Sequence, residues 1–281
     1  MEKDNDASLI NARAVIRGKN PMMGRYMPGF VIRYLERILH QDEVNYIIMT
    51  YGHLAGIEMA GAIYAHFGIQ LKVHGLEQVP INGRYIFVSN HPLGGLDGAM
   101  LIKVIGERFG SVKCPVNDLF LHLKPFQNVF VPINKHGRQN QEYAKQINDT
   151  YGSDAQVIYF PAGMCSRMVK GQVIDPPWMR NVLQKGVTYR RDIVPVFFSG
   201  QNSNFFYRLA NVRKRLHIPV NLEMLYLSDE AFRQKGSTFD IYFGQPIPFS
   251  SFTPDKRMDQ WILEVRNQVY ALPQLYNPVS L

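Results

Sequence analysis

A histidine and an aspartate lie close together in the segment YIFVSNHPLGGLDG, which spans residues 85–98. His91 follows an apolar run typical of a buried strand, and Asp97 follows a Pro-Leu-Gly-Gly turn where a helical pattern begins. A carboxylate that accepts a hydrogen bond from one imidazole nitrogen leaves the other nitrogen able to take a proton. The pair is therefore a candidate general base for a hydroxyl, if the two glycines let the side chains meet. The alternative is that His91 caps the turn and Asp97 caps its helix.

The segment VIYFPAGMCSR, residues 157–167, has the same organisation of a strand followed by a turn of small residues. Its backbone N–H groups and Arg167 are candidates for binding an anionic oxygen, and the alternative is an ordinary turn with a surface arginine. Cys165 raises the possibility of a hydrolase with a thiol nucleophile. Because no specific histidine partner is evident, a small buried residue is the favoured interpretation.

Short apolar runs alternate with helical patterns after Lys72, which predicts an α/β fold with a mixed central sheet flanked by helices. The predicted strands are Leu71–His74, Tyr85–Val88, Val129–Ile133, Val157–Phe160, Ile193–Phe198 and Phe239–Phe243. The predicted helices cover Asp97–Phe109, about 138–151, 178–187, and a final stripe of Met258, Trp261, Ile262, Val265 and Val269 begun by Thr253 and Pro254.

The N-terminal region is predicted to be helical. Pro28 suits a first helical position, and an apolar stripe follows at Val31, Tyr34, Leu35, Ile38 and Leu39. Residues 44–71 carry Glu58 as their one formal charge, which favours a packed core hairpin, with contact to a membrane surface as the alternative. The expected division is a helical region over 1–70, with possible membrane-surface contact, and an α/β domain over 71–281.

The charge of this 281-residue chain is concentrated in one window. The net charge is 31 − 23 = +8, and residues 161–220 alone hold ten basic and two acidic residues, or 10 − 2 = +8. Such a block favours an anionic partner: a phospholipid surface, a phosphate, an acidic carrier protein or a nucleic acid. Because no nucleic-acid-binding motif is present, we expect no nucleic-acid partner, and a solvated face without any partner stays open.

Composition bounds the class of protein further. With 46% hydrophobic and 19% charged residues, the chain is globular rather than disordered. Two cysteines exclude a disulfide framework and favour a reducing, cytoplasmic compartment. The start of the chain has no secretory pattern, and no run of about 18 apolar residues predicts a spanning helix.

The two segments together resemble the PlsC-type acyltransferases of glycerolipids and lysophospholipids. Those enzymes carry a His-x4-Asp block, a block with Arg or Lys after a short strand, an F-P-E-G-T-R block and a V-P-V strand. Here His91 and Asp97 resemble the first block, and 131–135 the second. Residues 160–163 resemble the third block, and 193–196 the fourth.

The sequence departs from the PlsC-type pattern at two places, and these point to one subgroup of the family. Five residues separate His91 from Asp97, and Ala162 stands where the glycerolipid enzymes have a glutamate. Both features are similar to the hemolysin-like subgroup, which includes lyso-ornithine and lyso-glycine lipid O-acyltransferases. The resemblance therefore favours a lyso-aminolipid acceptor. A 1-acylglycerol-3-phosphate acyltransferase and a non-catalytic lipid- or carrier-binding protein are the alternatives.

The resemblance implies a glycerol-3-phosphate acyltransferase-like fold and transfer of a fatty acyl group to a lysolipid hydroxyl. The donor would be an acyl carrier protein or coenzyme A thioester, with no cofactor and no metal. We expect a protein of the cytoplasm, peripheral on an anionic membrane surface at the inner face of the cell membrane. His91 and Asp97 would be catalytic, and the expected substrate-binding residues are Asn90, Gly94, Gly95, Asn134, Lys135, Arg138, Gly163, Ser166 and Arg167.

Overall fold

A computed structural model describes residues 11, 27–117, 121, 123–133 and 141–276. In chain order the elements are α1 (Gly29–Ile38), α2 (Gln41–Tyr51), α3 (Ile57–Phe67), β1 (Gln70–His74), β2 (Tyr85–Ser89), α4 (Leu96–Phe109), β3 (Val112–Val116), β4 (Phe130–Pro132), α5 (Gln141–Gly152), β5 (Gln156–Tyr159), β6 (Arg167–Val169), β7 (Gln172–Ile174), α6 (Asn181–Tyr189), β8 (Asp192–Phe198), α7 (Asn204–Arg215), α8 (Leu227–Arg233), β9 (Thr238–Phe243) and α9 (Met258–Tyr276). Short 3₁₀ turns lie at Leu76–Gln78, Lys124–Phe126, Leu222–Tyr226 and Phe249–Ser251.

The chain forms two compact units. One combines residues 1–54 with 202–235, and its described elements are the helices α1, α2, α7 and α8 with one 3₁₀ turn. The other combines residues 55–201 with 236–281 and contains every described strand. The α/β unit therefore carries both segments that the sequence analysis singled out.

The α/β unit is built on a seven-stranded sheet in the order β1-β9-β8-β2-β5-β3-β4. All neighbours are parallel except β8 and β9, which makes the sheet mixed. Strands β6 and β7 form a separate antiparallel hairpin. The β2 sequence YIFVS is rich in the β-branched and aromatic residues that favour strands, and all five of its residues are buried.

Helices cover both faces of the sheet. Alternate β2 side chains point to opposite faces, so Ile86 and Val88 join one apolar cluster with residues of α6 and α9. Phe87 faces the other way, where its ring lies 5.5 Å from Phe109 at the end of α4. A strand buried on both faces holds the residues that follow it in a fixed position, which matters for His91.

The predicted fold class is confirmed: the structure has a mixed central sheet flanked by helices and a helical N-terminal region. Each of the six predicted strands is present within one residue of its predicted bounds. The division at residue 70 stays a prediction about domain organisation. The predicted helix over about 138–151 is described from Gln141 onward, and its first residues lie outside the described part.

Strand β3 was not predicted, because Pro115 and Lys113 interrupt the apolar pattern of VKCPV. Its pairing with β5 stops at Lys113, before the proline that has no N–H to donate. The final helix was predicted to begin at Thr253 and Pro254, which was wrong, since α9 begins at Met258. The helices α7 and α8 and the β6–β7 hairpin were also not predicted.

Arg191 is fully buried beside the start of β8 and belongs to the framework of the sheet. Its guanidinium donates to the carbonyl oxygens of Tyr151 (2.7 Å), Ala155 (2.8 Å) and Tyr85 (3.3 Å), and also to those of Thr150 and Ser153. Burial lowers the pKa of Arg191 to about 10. This arginine therefore joins chain segments within the fold, although the sequence analysis counted it among the charges available to a partner.

Candidate active site

Three parallel strands end at the place where the predicted motifs meet. Because β5 and β8 both run parallel to β2 and pair with it, their carboxyl ends lie at the same edge of the sheet. The chain leaves β2 at Ser89 and reaches His91 two residues later, and it leaves β5 at Tyr159 and reaches Phe160. The topology therefore brings His91 next to the FPAGMCSR segment, at the edge where α/β folds place their ligands.

His91 and Asp97 meet as predicted. Nδ1 of His91 lies 3.0 Å from Oδ2 of Asp97, and the aspartate side chain is fully buried. The same Oδ2 accepts a hydrogen bond from the Leu93 N–H at 3.0 Å, and Oδ1 accepts one from the Gly98 N–H at 2.8 Å. Because an ionised carboxylate can only accept hydrogen bonds, this contact favours the His91 tautomer with its proton on Nδ1. The lone pair of Nε2 is then available to accept a proton.

The imidazole ring is held by stacking and stays accessible. It packs on the Phe160 ring with centroids 4.0 Å apart and an interplanar angle of 27°. The His91 side chain is 14% exposed. Within the described part of the chain, Nε2 of His91 makes no hydrogen bond. An oriented ring with one open nitrogen is what a general base needs.

The glycines after His91 and Phe160 shape the turns. Gly94 has φ of +89° and Gly163 has φ of +63°, a backbone region that favours glycine. The Gly163 N–H donates to the Phe160 carbonyl oxygen at 3.0 Å, so it is used within its own turn and is not an open oxyanion donor. The N–H groups of Gly94 and Gly95, just before α4, make no hydrogen bond to any described residue. Of the three glycines predicted to bind substrate, Gly94 and Gly95 are therefore the two whose N–H groups could donate to a negatively charged oxygen of the substrate.

Asn90 and Ser166 were predicted to bind substrate, but their side chains join parts of the site. The Asn90 amide donates to the Phe198 carbonyl oxygen at 3.0 Å and accepts from the Phe198 N–H at 2.7 Å, which ties β2 to β8. The Ser166 hydroxyl donates to Asp175 at 2.5 Å, and its N–H donates to the His91 carbonyl oxygen at 2.8 Å. Both residues are buried, so we assign them to holding the site together.

Of the basic residues predicted to bind substrate, the structure describes only Arg167. The Arg167 guanidinium donates to the carbonyl oxygens of Cys165 (2.7 Å) and Ser166 (3.2 Å), which closes its own turn. Asn134, Lys135 and Arg138 lie outside the described residues. Their expected role in binding a head group or the donor phosphate stays a prediction.

Asp175 is a part of the site that was not predicted from the sequence. This buried carboxylate follows β7 and contacts the backbone of His91 as well as Ser166 and Trp178. Burial raises the pKa of Asp175, and the hydrogen bond from Ser166 opposes that shift. The feature of the sequence that could have pointed to Asp175 is that it is one of only two acidic residues in the strongly basic window 161–220.

The basic window is partly used inside the protein. Arg191 is buried in the sheet framework, Arg180 pairs with Asp259 at 2.8 Å, and Arg213 pairs with Glu223 at 2.9 Å. The surface available to an anionic partner is therefore less charged than the sequence count indicates. On α7, Arg208, Lys214 and Arg215 are exposed.

The described residues contain no cluster of three or more histidine, cysteine, aspartate or glutamate side chains suited to a metal ion. None of the described helices combines the length and the apolar composition that crossing a bilayer requires.

Cys114 and Cys165 are both free and buried.

Comparison with known proteins adds independent information. Residues 14–277 match the family model described as Acyltransferase. The chain is 42% identical over 270 residues to the lyso-glycine lipid O-acyltransferase of Bacteroides thetaiotaomicron, covering 96% of this chain and 99% of that protein. It is 38% identical over 270 residues to the lyso-glycine lipid O-acyltransferase of Phocaeicola vulgatus, covering 96% and 97%. The crystal structure of the 1-acyl-sn-glycerophosphate acyltransferase PlsC from Thermotoga maritima is similar at 14% identity and a TM-score of 0.46, covering 95% of this chain and 93% of that one.

Proposed function

The chain belongs to this acyltransferase family, and from that premise we propose that it transfers a fatty acyl group from an acyl thioester to the hydroxyl of a lyso-glycine lipid. Acyl transfer to a lysolipid is the family activity that both lyso-glycine lipid relatives carry in their names. The observation that supports the chemistry best is the His91–Asp97 contact of 3.0 Å, with Nε2 of the ring open. A non-catalytic binding protein has no need for a base in this state.

In the proposed mechanism, Nε2 of His91 takes the proton of the acceptor hydroxyl as its oxygen attacks the thioester carbonyl carbon. The Asp97 carboxylate stabilises the imidazolium that forms. The tetrahedral intermediate then collapses, the carbon–sulfur bond breaks, and the imidazolium returns its proton to the leaving thiolate. The products are an ester and a free carrier thiol, so protons and electrons balance within the site.

The negative oxygen of the tetrahedral intermediate needs fixed donors. We assign this role to the N–H groups of Gly94 and Gly95, which lie between His91 and the first turn of α4. The positive end of the α4 dipole adds to their effect. The side chains of Asn90 and Ser166 are already hydrogen-bonded within the site, so they support this arrangement indirectly.

The acceptor class is tested by offering the purified full chain a panel of lysolipids with a radiolabelled acyl donor. Lyso-glycine lipid should be acylated at least about tenfold faster than lyso-ornithine lipid or 1-acylglycerol-3-phosphate, since a site that pairs with one head group rejects others that leave its polar groups unpaired. Each acceptor is assayed with both acyl carrier protein and coenzyme A thioesters, which identifies the donor. Faster acylation of 1-acylglycerol-3-phosphate would support the glycerolipid alternative instead, and no product with any acceptor would support a binding protein.

Removing the Cys165 thiol should leave acyl transfer within about threefold of the wild-type rate, because a buried, un-ionised thiol is a poor nucleophile. Cys165 is 1% exposed, and burial raises the pKa of its thiol. The measurement is the initial rate of Cys165→Ala, with Cys114→Ala as the matched loss of a second buried thiol. A hundredfold loss in Cys165→Ala alone would reinstate the thiol nucleophile.

We further propose that the protein works at an anionic membrane surface, on the inner face of the cell membrane, where its lipid acceptor resides. Support comes from the helical unit. The outer face of α7 carries an exposed apolar stripe of Phe205, Val212 and Leu216, flanked by Arg208 and Arg215. These positions are spaced three or four residues apart, which places them on one side of the helix.

Helix α1 presents a similar surface within the same unit. Phe30 and Tyr34 are exposed there beside Arg33 and Arg37. Tyr34 hydrogen-bonds Tyr226, and the Tyr226 ring packs 5.0 Å from the ring of Phe205. The two faces therefore adjoin and combine aromatic side chains with arginines, as surfaces that bind the lipid head-group region do.

Reversing the charges of Arg208 and Arg215 to glutamate should weaken binding to vesicles of phosphatidylglycerol and phosphatidylcholine at least about tenfold, since each basic residue contributes about 1 kcal/mol near an anionic surface. Co-sedimentation of the full chain gives the affinity. The matched control is Lys72→Glu with Arg257→Glu, which makes the same charge change on exposed residues of the α/β unit. Equal loss in both double variants would show that only net charge matters and would contradict the assigned face.

A further inference from the structure

Asp175 is a buried carboxylate that contacts the backbone of the proposed catalytic residue. It lies directly after β7 and is 4% exposed. Its Oδ1 accepts hydrogen bonds from the His91 N–H at 3.2 Å and from the Ser166 hydroxyl at 2.5 Å. Its Oδ2 accepts one from Trp178 Nε1–H at 2.9 Å. The contact to His91 joins residues 84 positions apart in the sequence.

The other main-chain group of His91, its carbonyl oxygen, is held by Ser166, which also bonds Asp175. The Ser166 N–H donates to the His91 carbonyl oxygen at 2.8 Å. Strand β2 ends at Ser89, so the sheet ladder does not reach His91. Together Ser166 and Asp175 therefore replace the ladder there and hold both the N–H and the C=O of His91. They also fix the FPAGMCSR turn, which supplies Phe160, against the imidazole ring.

Burying an ionised carboxylate is unfavourable unless donors or a cation compensate. In the described part of the chain, no lysine or arginine forms an ion pair with the Asp175 carboxylate, and the three donors compensate in its place. Its main chain is held too, since the Asp175 N–H donates to the Tyr270 hydroxyl at 2.9 Å. Asp175 is therefore buried and hydrogen-bonded to protein groups through both its side chain and its N–H.

We propose that Asp175 is a positioning residue for acyl transfer: through the main chain of His91 and through Ser166, it sets the place of the imidazole relative to the reacting atoms. The inference rests on the proposed function for its kinetic part. Asp97 determines the tautomer of His91, whereas Asp175 determines where the ring stands. A group that controls position changes kcat more than substrate affinity.

The kinetic test compares Asp175→Ala and Ser166→Ala with the wild-type chain. Asp175→Ala should lower kcat about 10²-fold, the effect of displacing a reacting group by about 1 Å, and Ser166→Ala about tenfold. KM for donor and acceptor should stay within about twofold, because both side chains are buried and hydrogen-bonded within the protein. Leu183→Ala, at a buried position of α6, is the control that lowers stability without touching His91.

A conservative rescue separates positioning from loss of packing. In Asp175→Asn the side-chain oxygen can still accept from His91 and Ser166, but its NH₂ group then faces the Trp178 N–H. Combining Asp175→Asn with Trp178→Phe removes that conflict between donors. The double variant should therefore recover at least about tenfold in kcat over Asp175→Ala.

A second readout does not depend on activity. Hydrogen exchange at the His91 amide, followed by NMR or mass spectrometry, should be slow in the wild-type chain and much faster in Asp175→Ala. Unchanged exchange, or kcat within threefold of wild type in a folded Asp175→Ala, would overturn the proposal. If Asp175→Ala does not fold, Ser166→Ala decides by kcat, because this variant loses the hydroxyl bond to Asp175 and keeps the backbone contacts of His91; a kcat within threefold of wild type would overturn the proposal. If the wild-type chain had no transferase activity, the proposed function would be wrong. The exchange measurement would still show whether Asp175 holds the His91 N–H.

Discussion

Replacing His91 with alanine should lower kcat for acyl transfer about 10²–10⁴-fold, which is the range that a positioned general base contributes. The reason is that, in the proposed mechanism, Nε2 of His91 takes the proton of the acceptor hydroxyl, and no other titratable group in the described site is oriented to replace it. The fold should be kept, because the ring packs mainly on Phe160 and is partly exposed. Transfer of a radiolabelled acyl group to lyso-glycine lipid gives the rate, and a thermal melt reports the fold.

The α/β unit contains a matched control for this variant. His74 at the end of β1 also pairs with an aspartate, since its Nε2 lies 2.8 Å from Oδ1 of Asp240. Its ring stacks on Tyr242, and its side chain is 31% exposed. His74→Ala therefore removes a second His–Asp pair of similar length, made through Nε2 instead of Nδ1, and should leave kcat within about threefold. Equal losses in His91→Ala and His74→Ala would mean that the effect on rate is structural.

Asp97→Asn should lower kcat about 10³-fold or more and leave KM nearly unchanged. The three groups that contact the carboxylate of Asp97 all donate, so an asparagine must direct its NH₂ toward at least one donor. If the NH₂ faces Nδ1, the tautomer of His91 with the proton on Nδ1 is no longer favoured, and in either orientation the imidazolium loses its counter-charge. Steady-state kinetics at saturating donor and acceptor gives both constants.

The control for Asp97→Asn is Asp240→Asn, which makes the same change in the His74 pair. Asp240 side-chain exposure is 33%, so water can satisfy the new amide there. A rate for Asp97→Asn within fivefold of wild type would contradict the assigned role. Loss of the folded state in Asp97→Asn, seen in the melt, would make Asp97→Glu the deciding variant. Some activity in Asp97→Glu, which keeps a carboxylate on a longer side chain, would support the assigned role. No activity in a folded Asp97→Glu would contradict it.

The parts of the fold that the sequence predicts are those with local patterns. Four of the six predicted strands are uninterrupted apolar runs, whereas Leu71–His74 and Phe239–Phe243 include polar residues. Strands β2 and β5 are buried on both faces, so their sequences are almost continuously hydrophobic. Strand β3 was missed because Pro115 breaks that pattern. Helix α7 was missed because its sequence mixes exposed apolar and basic residues, which does not give the simple apolar stripe of a helix packed on a core.

The same distinction holds for the site. His91 and Asp97 are six residues apart, so a glycine turn between a strand and a helix was enough to indicate their contact. The roles of Asn90 and Asp175 depend on partners that lie far away in the chain: Phe198 is 108 positions from Asn90, and His91 is 84 positions from Asp175. No spacing rule reaches that far. The side chains of Asn90 and Ser166 were therefore assigned to substrate, whereas the structure uses them to join strand ends.

The most direct test of the account varies the acidity of the acceptor hydroxyl. A lyso-glycine lipid analogue with two fluorine atoms beside the hydroxyl loses its proton more easily and depends less on a base. The measurement is the ratio of kcat between wild type and His91→Ala, determined with the natural acceptor and with the fluorinated one. We predict that the ratio falls at least about tenfold with the fluorinated acceptor. An unchanged ratio would show that His91 does not take the hydroxyl proton and would contradict the mechanism.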